Sequence, residues 1–355
     1  MNLHPILRAL LWPLSIVFEA VVRLRAFFYR AGIFSQKRLQ GVVISVGNLT
    51  VGGTGKTPLV MWIVERLLSE RKPTGILTRG YRGSKGTNLP LAATAPFPED
   101  HVPLHVFSDE VWLYWKRFAD RAYIGVGADR FAWGRRLEER GVQWFVLDDG
   151  FQHMRLARDV DIVLVDATDP FGGGLLLPAG RLREPETALG RADLVLITRQ
   201  QPADAVEAVI RRHTDAPVFY ARNELTDIFQ RNPHLAGAQK ADKQRRKFFA
   251  FCAIGNPSAF FVDLLSWGIH VIDCKSFRDH HKFSQSDVQE LESRARAAGA
   301  EALICTEKDL FNCLQVEFRE LPLFYCRISL KLTDGEGFWQ EVLQIISRKQ
   351  QAGGR

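Results

Sequence analysis

Residues 5–30, PILRALLWPLSIVFEAVVRLRAFFYR, are the most apolar stretch of the chain, and their polar positions are ordered rather than scattered. At about 100° per residue, with Glu19 at zero, Arg8 falls near about −20°, Ser15 about −40°, Arg23 about +40° and Arg30 about +20°. A long helix is expected with one polar stripe, a face of Leu, Val, Ile, Phe and Trp around the rest, and a kink at Pro13. Charges at Arg8 and Glu19 leave no uninterrupted run near the ~20 residues a spanning helix needs. Arg23-Leu24-Arg25 follows the apolar run where a removed signal peptide would have a small-x-small site, so neither a span nor a cleaved leader is expected. The pattern fits a helix lying in a membrane interface with Arg at its margin. The alternative is that the apolar face packs on the protein's own core, and both hold if the ends of the helix divide the work.

Downstream the period changes. A β-branched run at 42–46 precedes helical periodicity at 58–70, and further strand-like runs lie at 75–78, 142–147, 162–165, 194–198 and 217–220, with helical stretches between. This alternation predicts an α/β fold with a doubly wound parallel sheet and sites at the strand ends. Residues 223–247 lack clear periodicity and turn basic, as a linker would. A second, smaller α/β unit is expected after it, with strands at 248–254, 270–273, 302–305 and 323–328. Its long helix spans 286–298 and is capped from 284–287. The expected divisions are 1–38 for the amphipathic helix, 39–222 for the core domain, 223–247 for the linker and 248–355 for the smaller domain.

Composition narrows the class. The 355 residues are 46% hydrophobic and 25% charged, which excludes disordered, collagenous and disulfide-scaffold proteins and suits two globular domains. Five cysteines, all in the last third and without a C-x-x-C pair, predict reduced buried thiols and no zinc site. The net charge of +7 is unevenly placed: residues 1–38 carry six Arg and Lys against Glu19 alone, and 240–247 carry five against Asp242. Such patches imply an anionic partner: nucleic acid, an anionic membrane surface or a phosphorylated substrate.

The chemistry is most specific after the first strand run. Gly47-Asn48-Leu49-Thr50-Val51-Gly52-Gly53-Thr54-Gly55-Lys56-Thr57, between a strand and a helix, has the arrangement of a phosphate-binding loop. Gly52, Gly53, Thr54 and Gly55 let backbone amides curl around an anion, and Lys56 reaches the β/γ phosphates. Thr57 offers a hydroxyl to Mg²⁺. Thr50 departs from the generic pattern, which wants glycine there. The run at 142–147 ends in Asp148-Asp149-Gly150, where carboxylates at a strand end beside such a loop hold Mg²⁺ or a metal-bound water. Glycine-rich segments at 79–83 and 171–183 read as site loops.

With Asp148-Asp149-Gly150-Phe151-Gln152-His153, Arg79-Gly80-Tyr81, Leu182-Arg183-Glu184-Pro185, Asp279-His280 and Thr306-Glu307-Lys308-Asp309 beside that loop, the chain resembles the tetraacyldisaccharide 4'-kinases, the lipid A kinases. The similarity covers almost the whole length, and Thr50 fits the family's form of the loop. The resemblance implies a P-loop NTPase-like enzyme, peripheral on the cytoplasmic face of the inner membrane of Gram-negative bacteria. It implies ATP and Mg²⁺ as cofactors, and transfer of the γ-phosphate to the 4'-hydroxyl of a lipid A precursor, tetraacyldisaccharide 1-phosphate, giving lipid IVA. It also suggests Asp109 as catalytic base with His280 as its partner, which would make the active site an interdomain cleft. Glu184 would support the metal beside Thr57, Asp148 and Asp149, and Arg79, Tyr81, Arg130, Gln152 and His153 would contact substrate. Read alone, Asp109 is a solvated turn residue, His280 a surface histidine, and Arg183 equally a salt-bridging residue.

Three rivals fit less well. A GTPase would need a spacer between the Lys and Asp that adjoin at 308–309. A partitioning ATPase would need a signature lysine within 51–54. A nucleic-acid-binding ATPase would need basic and aromatic residues interleaved on one face, so nucleic acid is not an expected partner. Another membrane-associated P-loop NTPase is the remaining alternative.

Overall fold

The computed structural model describes residues 5–80, 108–199, 204–231, 239–240 and 246–352. It divides into two compact units, residues 1–222 with 331–355, and residues 223–330.

The described elements of the first unit begin with α1 (Pro5–Arg30), β1 (Val42–Asn48), α2 (Lys56–Ser69), β2 (Thr74–Thr78), α3 (Asp109–Phe118) and β3 (Tyr123–Val126). They continue through α4 (Arg130–Glu138), β4 (Trp144–Asp148), β5 (Val160–Asp166), a 3-10 turn at Glu186–Arg191, β6 (Leu194–Thr198), α5 (Asp204–Arg211) and the first five residues of β7 (Val218–Gln230). The strands lie in the order β7-β6-β5-β1-β4-β2-β3 and pair in parallel, with Val46 opposite Asp148 and Gly47 opposite Val163. VVISVGN of β1 and VDIVLVD of β5 are buried at every position, which is why they read as continuous runs rather than alternating ones: helices cover both faces of a parallel sheet. Gly47 is required within β1, since a Cβ there would stand 2.6 Å from that of Phe151. The chain first winds from β1 toward β2 and β3, returns to insert β4, and then crosses β1 to β5. The reversal puts the C-terminal ends of β1 and β4 at the topological switch point, where open α/β sheets bind ligands.

The second unit contains β8 (Gln239–Lys240), β9 (Phe248–Cys252), α6 (Pro257–Ser266), β10 (Val271–Ser276), α7 (Gln285–Ala297), β11 (Ala302–Thr306), α8 (Glu307–Asn312) and most of β12 (Leu323–Leu332). The order β10-β9-β11-β12 is parallel, and Phe248, Ala250, Phe260, Leu264, Ile304 and Phe324 pack in its core. Ser284 and Asp287 cap α7 reciprocally, as expected. Cys252, Cys305, Cys313 and Cys326 are buried and Cys274 is exposed, against the expectation that all five are buried; burial pushes up the pKa values of Cys252, Cys305 and Cys313.

Two expected boundaries are corrected. Residues 223–230 continue β7 and belong to the second unit, so the linker does not begin at 223: polar residues spaced along a half-buried strand hid its period. The last helix, α9 (Gly335–Ala352), belongs to the first unit, not to the smaller domain. Its buried face, Phe338, Trp339, Val342, Ile345 and Ile346, finds an aromatic surface there, with the Phe338 ring 5.7 Å from Trp62 and 5.3 Å from Phe219. Arg66 of α2 pairs with Glu336 through two bonds of 2.6 and 2.7 Å, and Trp339 Nε1 donates to Glu70 at 2.6 Å.

The long α1 docks in an inverted sense. Its buried and half-buried positions are Arg8, Leu11, Ser15, Phe18, Glu19, Val22, Ala26, Phe28 and Tyr29, a stripe that takes in Arg8, Ser15 and Glu19 while Arg23, Arg25 and Arg30 are exposed. Ile6, Leu10, Trp12, Leu14, Ile16, Val17, Val21, Leu24 and Phe27 are exposed. Most of the apolar face is therefore exposed, while Phe18 packs against the core cluster that holds Leu176 and Val195. No helix among the described residues is long and apolar enough to cross a membrane.

Candidate functional site

The loop between β1 and α2 is shaped by glycines at left-handed φ, +123° at Gly52 and +89° at Gly55, where a side chain would be strained. Gly55 is the N-cap of α2 and no side chain caps it, so the first-turn N–H groups face the loop without an internal acceptor. Lys56 Nζ donates to Asn48 Oδ1 at 2.9 Å and stands 3.5 Å from Asp149 Oδ1, which holds the ammonium across the mouth of the loop. The departure at Thr50 has a structural account. Its carbonyl and hydroxyl accept from Asn48 Nδ2 at 2.8 and 3.2 Å, and its backbone bridges Leu182. Neighbouring segments engage the loop's carbonyls. Arg181 donates to Val51 O at 3.0 and 3.2 Å, Arg199 to Gly53 O at 3.3 Å, and Thr198 Oγ1 to Thr54 O at 3.2 Å. The loop is left to offer N–H groups, and these suit an anion.

At the end of β4 the two carboxylates diverge. Asp148 is buried and accepts from Thr78 Oγ1 at 3.1 Å. Burial, then the charges of Asp149 and Glu110, push its pKa up to about 6 against the pull of Lys56. Burial pushes Asp149 the same way, but Lys56 and Arg183 outweigh it and hold that carboxyl below its usual range. Arg183 NH1 donates to Asp149 Oδ2 at 2.7 Å. The pair thus splits into an acid that is costly to ionise and one kept ionised by cations. Tyr114 of α3 lies beside Thr57 and Asp148, fully buried, and its hydroxyl has no hydrogen-bond partner of normal geometry among the described residues. Thr57, Asp148 and this orphan hydroxyl make an all-oxygen set that fits a hard divalent cation, whose charge would offset the crowding of the acids.

The turn after Asp149 carries Gln152 and His153. Gln152 Nε2 donates to Asn48 O at 2.9 Å, its Oε1 accepts from Arg183 at 3.3 Å, and its carbonyl accepts from Arg25 of α1 at 3.0 Å. Burial, then Arg130, Arg158 and Arg25, push the His153 pKa down to about 4, so the ring is neutral within a cationic cluster. Arg130, buried at the start of α4, donates to Ala128 O at 3.2 Å. Arg79 is exposed directly after β2, and Tyr81 lies outside the described residues.

Glu184 departs from expectation. It is buried with its two oxygens 2.9 and 3.0 Å from the Arg191 guanidinium, which in turn lies 4.4 Å from the Phe151 ring centroid. The structure gives it a buried ion pair, with both oxygens on one planar fork.

Asp109 is not the solvated turn residue it looks like in isolation. It is buried at the first position of α3, where Ser108 Oγ accepts from Val111 N at 3.3 Å and Asp109 Oδ1 accepts from Glu110 N at 3.1 Å. His280 belongs to the second unit, in a left-handed conformation at φ +59°. Its N–H donates to Ala253 O at 3.0 Å, and Ala253 N donates to Asp309 Oδ1 at 2.9 Å. Thr306 Oγ1 donates to Asp309 Oδ2 at 2.6 Å, so Thr306-Glu307-Lys308-Asp309 is a helix cap and brace rather than a base reader. Asn48, Thr78, Tyr114 and Arg181 were not foreseen as site residues. Asn48 had a signal in its place at the strand end before a glycine loop, and Arg181 lay in the segment 171–183 read as a site loop.

The chain is similar to known proteins over most of its length. A family model described as tetraacyldisaccharide-1-P 4'-kinase matches residues 7–347. A tetraacyldisaccharide 4'-kinase of Koribacter versatilis is 36% identical over 348 residues, spanning 95% of this chain and 99% of the relative. One from Geobacter metallireducens is 40% identical over 313 residues, 85% and 87% of the two chains. The crystal structure of LpxK from Aquifex aeolicus in complex with ATP superposes with a TM-score of 0.73 at 29% identity, covering 96% of this chain and 99% of that one.

Proposed function

The chain belongs to the tetraacyldisaccharide-1-P 4'-kinase family, and on that premise we propose that it transfers the γ-phosphate of ATP to the 4'-hydroxyl of tetraacyldisaccharide 1-phosphate at the strand ends of the first unit. The observation that carries this reading is the bridging of Lys56 between Asn48 and Asp149 at the mouth of a loop whose carbonyls are already engaged. The amides of residues 52–57 and the start of α2 hold the triphosphate, and Lys56 follows the γ-phosphate into its loose transition state. Asp149, held ionised by Lys56 and Arg183, orients that lysine. Thr57 and Asp148 would hold Mg²⁺, which when bound supplies neutralisation of charge on the phosphate oxygens. Asp148 suits metal better than Asp149 because, among the described residues, its carboxylate accepts from the neutral Thr78 hydroxyl, whereas Asp149 is bound to the Arg183 guanidinium.

On the family resemblance, Asp109 takes the proton of the 4'-hydroxyl and His280 acts with it. The place of Asp109 in the first turn of α3, where the helix dipole favours a carboxylate, supports that reading. Arg130, Arg158 and Arg25 around His153 supply the positive field for the anionic sugar headgroup, with Arg79, Tyr81 and Gln152 as further contacts. The outward apolar face of α1 lies in the bilayer interface beside its arginines, so that the acyl chains stay in lipid while the headgroup reaches the site. Because ATP is cytosolic, the enzyme works peripherally on the cytoplasmic face of the inner membrane.

The test is transfer of label from γ-labelled ATP to purified tetraacyldisaccharide 1-phosphate in mixed micelles. Label should appear at the 4'-position with the wild type and be absent with a folded Lys56→Ala variant. No transfer by the wild type, or undiminished transfer by the variant, refutes the assignment.

A further inference from the structure

Ser15 is the single serine of α1, set among Leu, Ile and Val, yet only 4% of it is exposed. Its Oγ donates to Leu176 O at 3.0 Å and accepts from Ala179 N at 3.0 Å. One hydroxyl therefore joins the helix to both sides of a turn in the segment 171–183. That segment pairs with the start of the phosphate loop through a bridge between Leu182 and Thr50. Val51 N donates to Arg181 O at 2.8 Å, the Arg181 side chain returns two bonds to Val51 O, and Arg183 N donates to Leu49 O at 2.7 Å. Arg183 also reaches Asp149. Hydrogen bonds thus run without a break from the inner stripe of α1, through residues 176–183, to the backbone of residues 49–51 and the acid pair.

We propose that Ser15 is a positioning residue for the phosphate loop, acting through the 176–179 turn and Arg181. The proposal rests on the reading that residues 52–57 bind ATP. Removing the hydroxyl leaves the Ala179 N–H without that acceptor and loosens the turn, so the rail formed by residues 181–183 no longer holds Val51 in one place. A loop whose amides must then be ordered by the nucleotide itself binds it more weakly. Loss of one or two buried neutral hydrogen bonds corresponds to a weakening of about three- to tenfold.

The experiment measures equilibrium binding of ATP to the full chain for wild type, Ser15→Ala, Arg181→Gln, the double variant and Lys56→Ala, with thermal unfolding and sedimentation with phosphatidylglycerol vesicles alongside. Ser15→Ala is expected to bind ATP about three- to tenfold more weakly while sedimenting with vesicles like the wild type, since Ser15 lies on the inner stripe. The double variant should lose less than the product of the two single losses, because both residues act on Val51. Ser15→Cys, similar in size but a poorer hydrogen-bonding group, should fall between wild type and Ser15→Ala, and it decides the matter if the alanine variant does not fold. Unchanged ATP affinity with a lowered melting temperature would show a purely structural serine and overturn the proposal, as would losses that simply multiply. Failure of the wild type to bind ATP, with Lys56→Ala indistinguishable from it, would remove the loop reading itself and the proposal with it.

Discussion

Asp148→Asn should stabilise the metal-free protein while abolishing phosphoryl transfer. The folded state raises the Asp148 pKa from 3.8 to about 6. A shift of about two units at about 1.4 kcal/mol each makes the folded protein pay about 3 kcal/mol to ionise this carboxyl relative to the unfolded chain. The sign follows from proton binding: between about pH 4 and 6 the folded state holds more protons than the unfolded one, so stability falls as pH rises through that window. At pH 8 the wild type bears the whole penalty. Asparagine has nearly the same shape, accepts the bond from Thr78 Oγ1 and carries no charge to bury. After about 1 kcal/mol for imperfect amide geometry, the variant should be more stable by about 2 kcal/mol at pH 8, with the advantage gone by about pH 4. Denaturant unfolding in a chelator, followed by tryptophan fluorescence, reads the relevant unit, because seven of the eight tryptophans lie in it and only Trp267 in the other. Equal stability at pH 8, or a difference that does not change with pH, would mean that Asp148 ionises without penalty and would refute the reasoning. Adding Mg²⁺ and ATP should reverse the order, since the wild type alone then has the carboxylate partner.

Two further outcomes test the anchor and the base. Replacing the exposed Val17 and Val21 by Asp should sharply reduce sedimentation with anionic vesicles and leave the melting temperature unchanged; a loss of stability instead would show that this face is covered within the protein. Asp109→Ala should lower turnover about 10²- to 10⁴-fold with ATP binding retained, and His280→Ala somewhat less, with the double variant scarcely worse than Asp109→Ala. Additive losses in kcal/mol would separate the two residues into independent roles.

Local spacing settled a good deal of this protein. A strand, a glycine loop and Lys56-Thr57 are contiguous, so the loop's conformation follows from covalent neighbours and from the few residues able to adopt φ near +89°. The core strands at 194–198 and 302–305 are legible because both of their faces are buried and no polar residue interrupts the run. The carboxylates at the end of β4 could likewise be found by position, but which of them ionises easily could not, since Arg183 lies 34 residues from Asp149. The same limit explains Glu184, whose partner Arg191 is near in sequence yet joins it only because the 3-10 turn folds that arginine back over Phe151. Asp109 read as a surface turn until its helix was packed. The angular order of Arg8, Ser15 and Glu19 was plain from the chain, but a stripe has no inside or outside by itself. Its direction was decided by the backbone groups of Leu176 and Ala179, which needed a hydroxyl and are more than 160 residues away. Hydrophobic period and turn chemistry are properties of neighbours along the chain. Partner choice belongs to segments that meet only when the sheet's winding order brings them together.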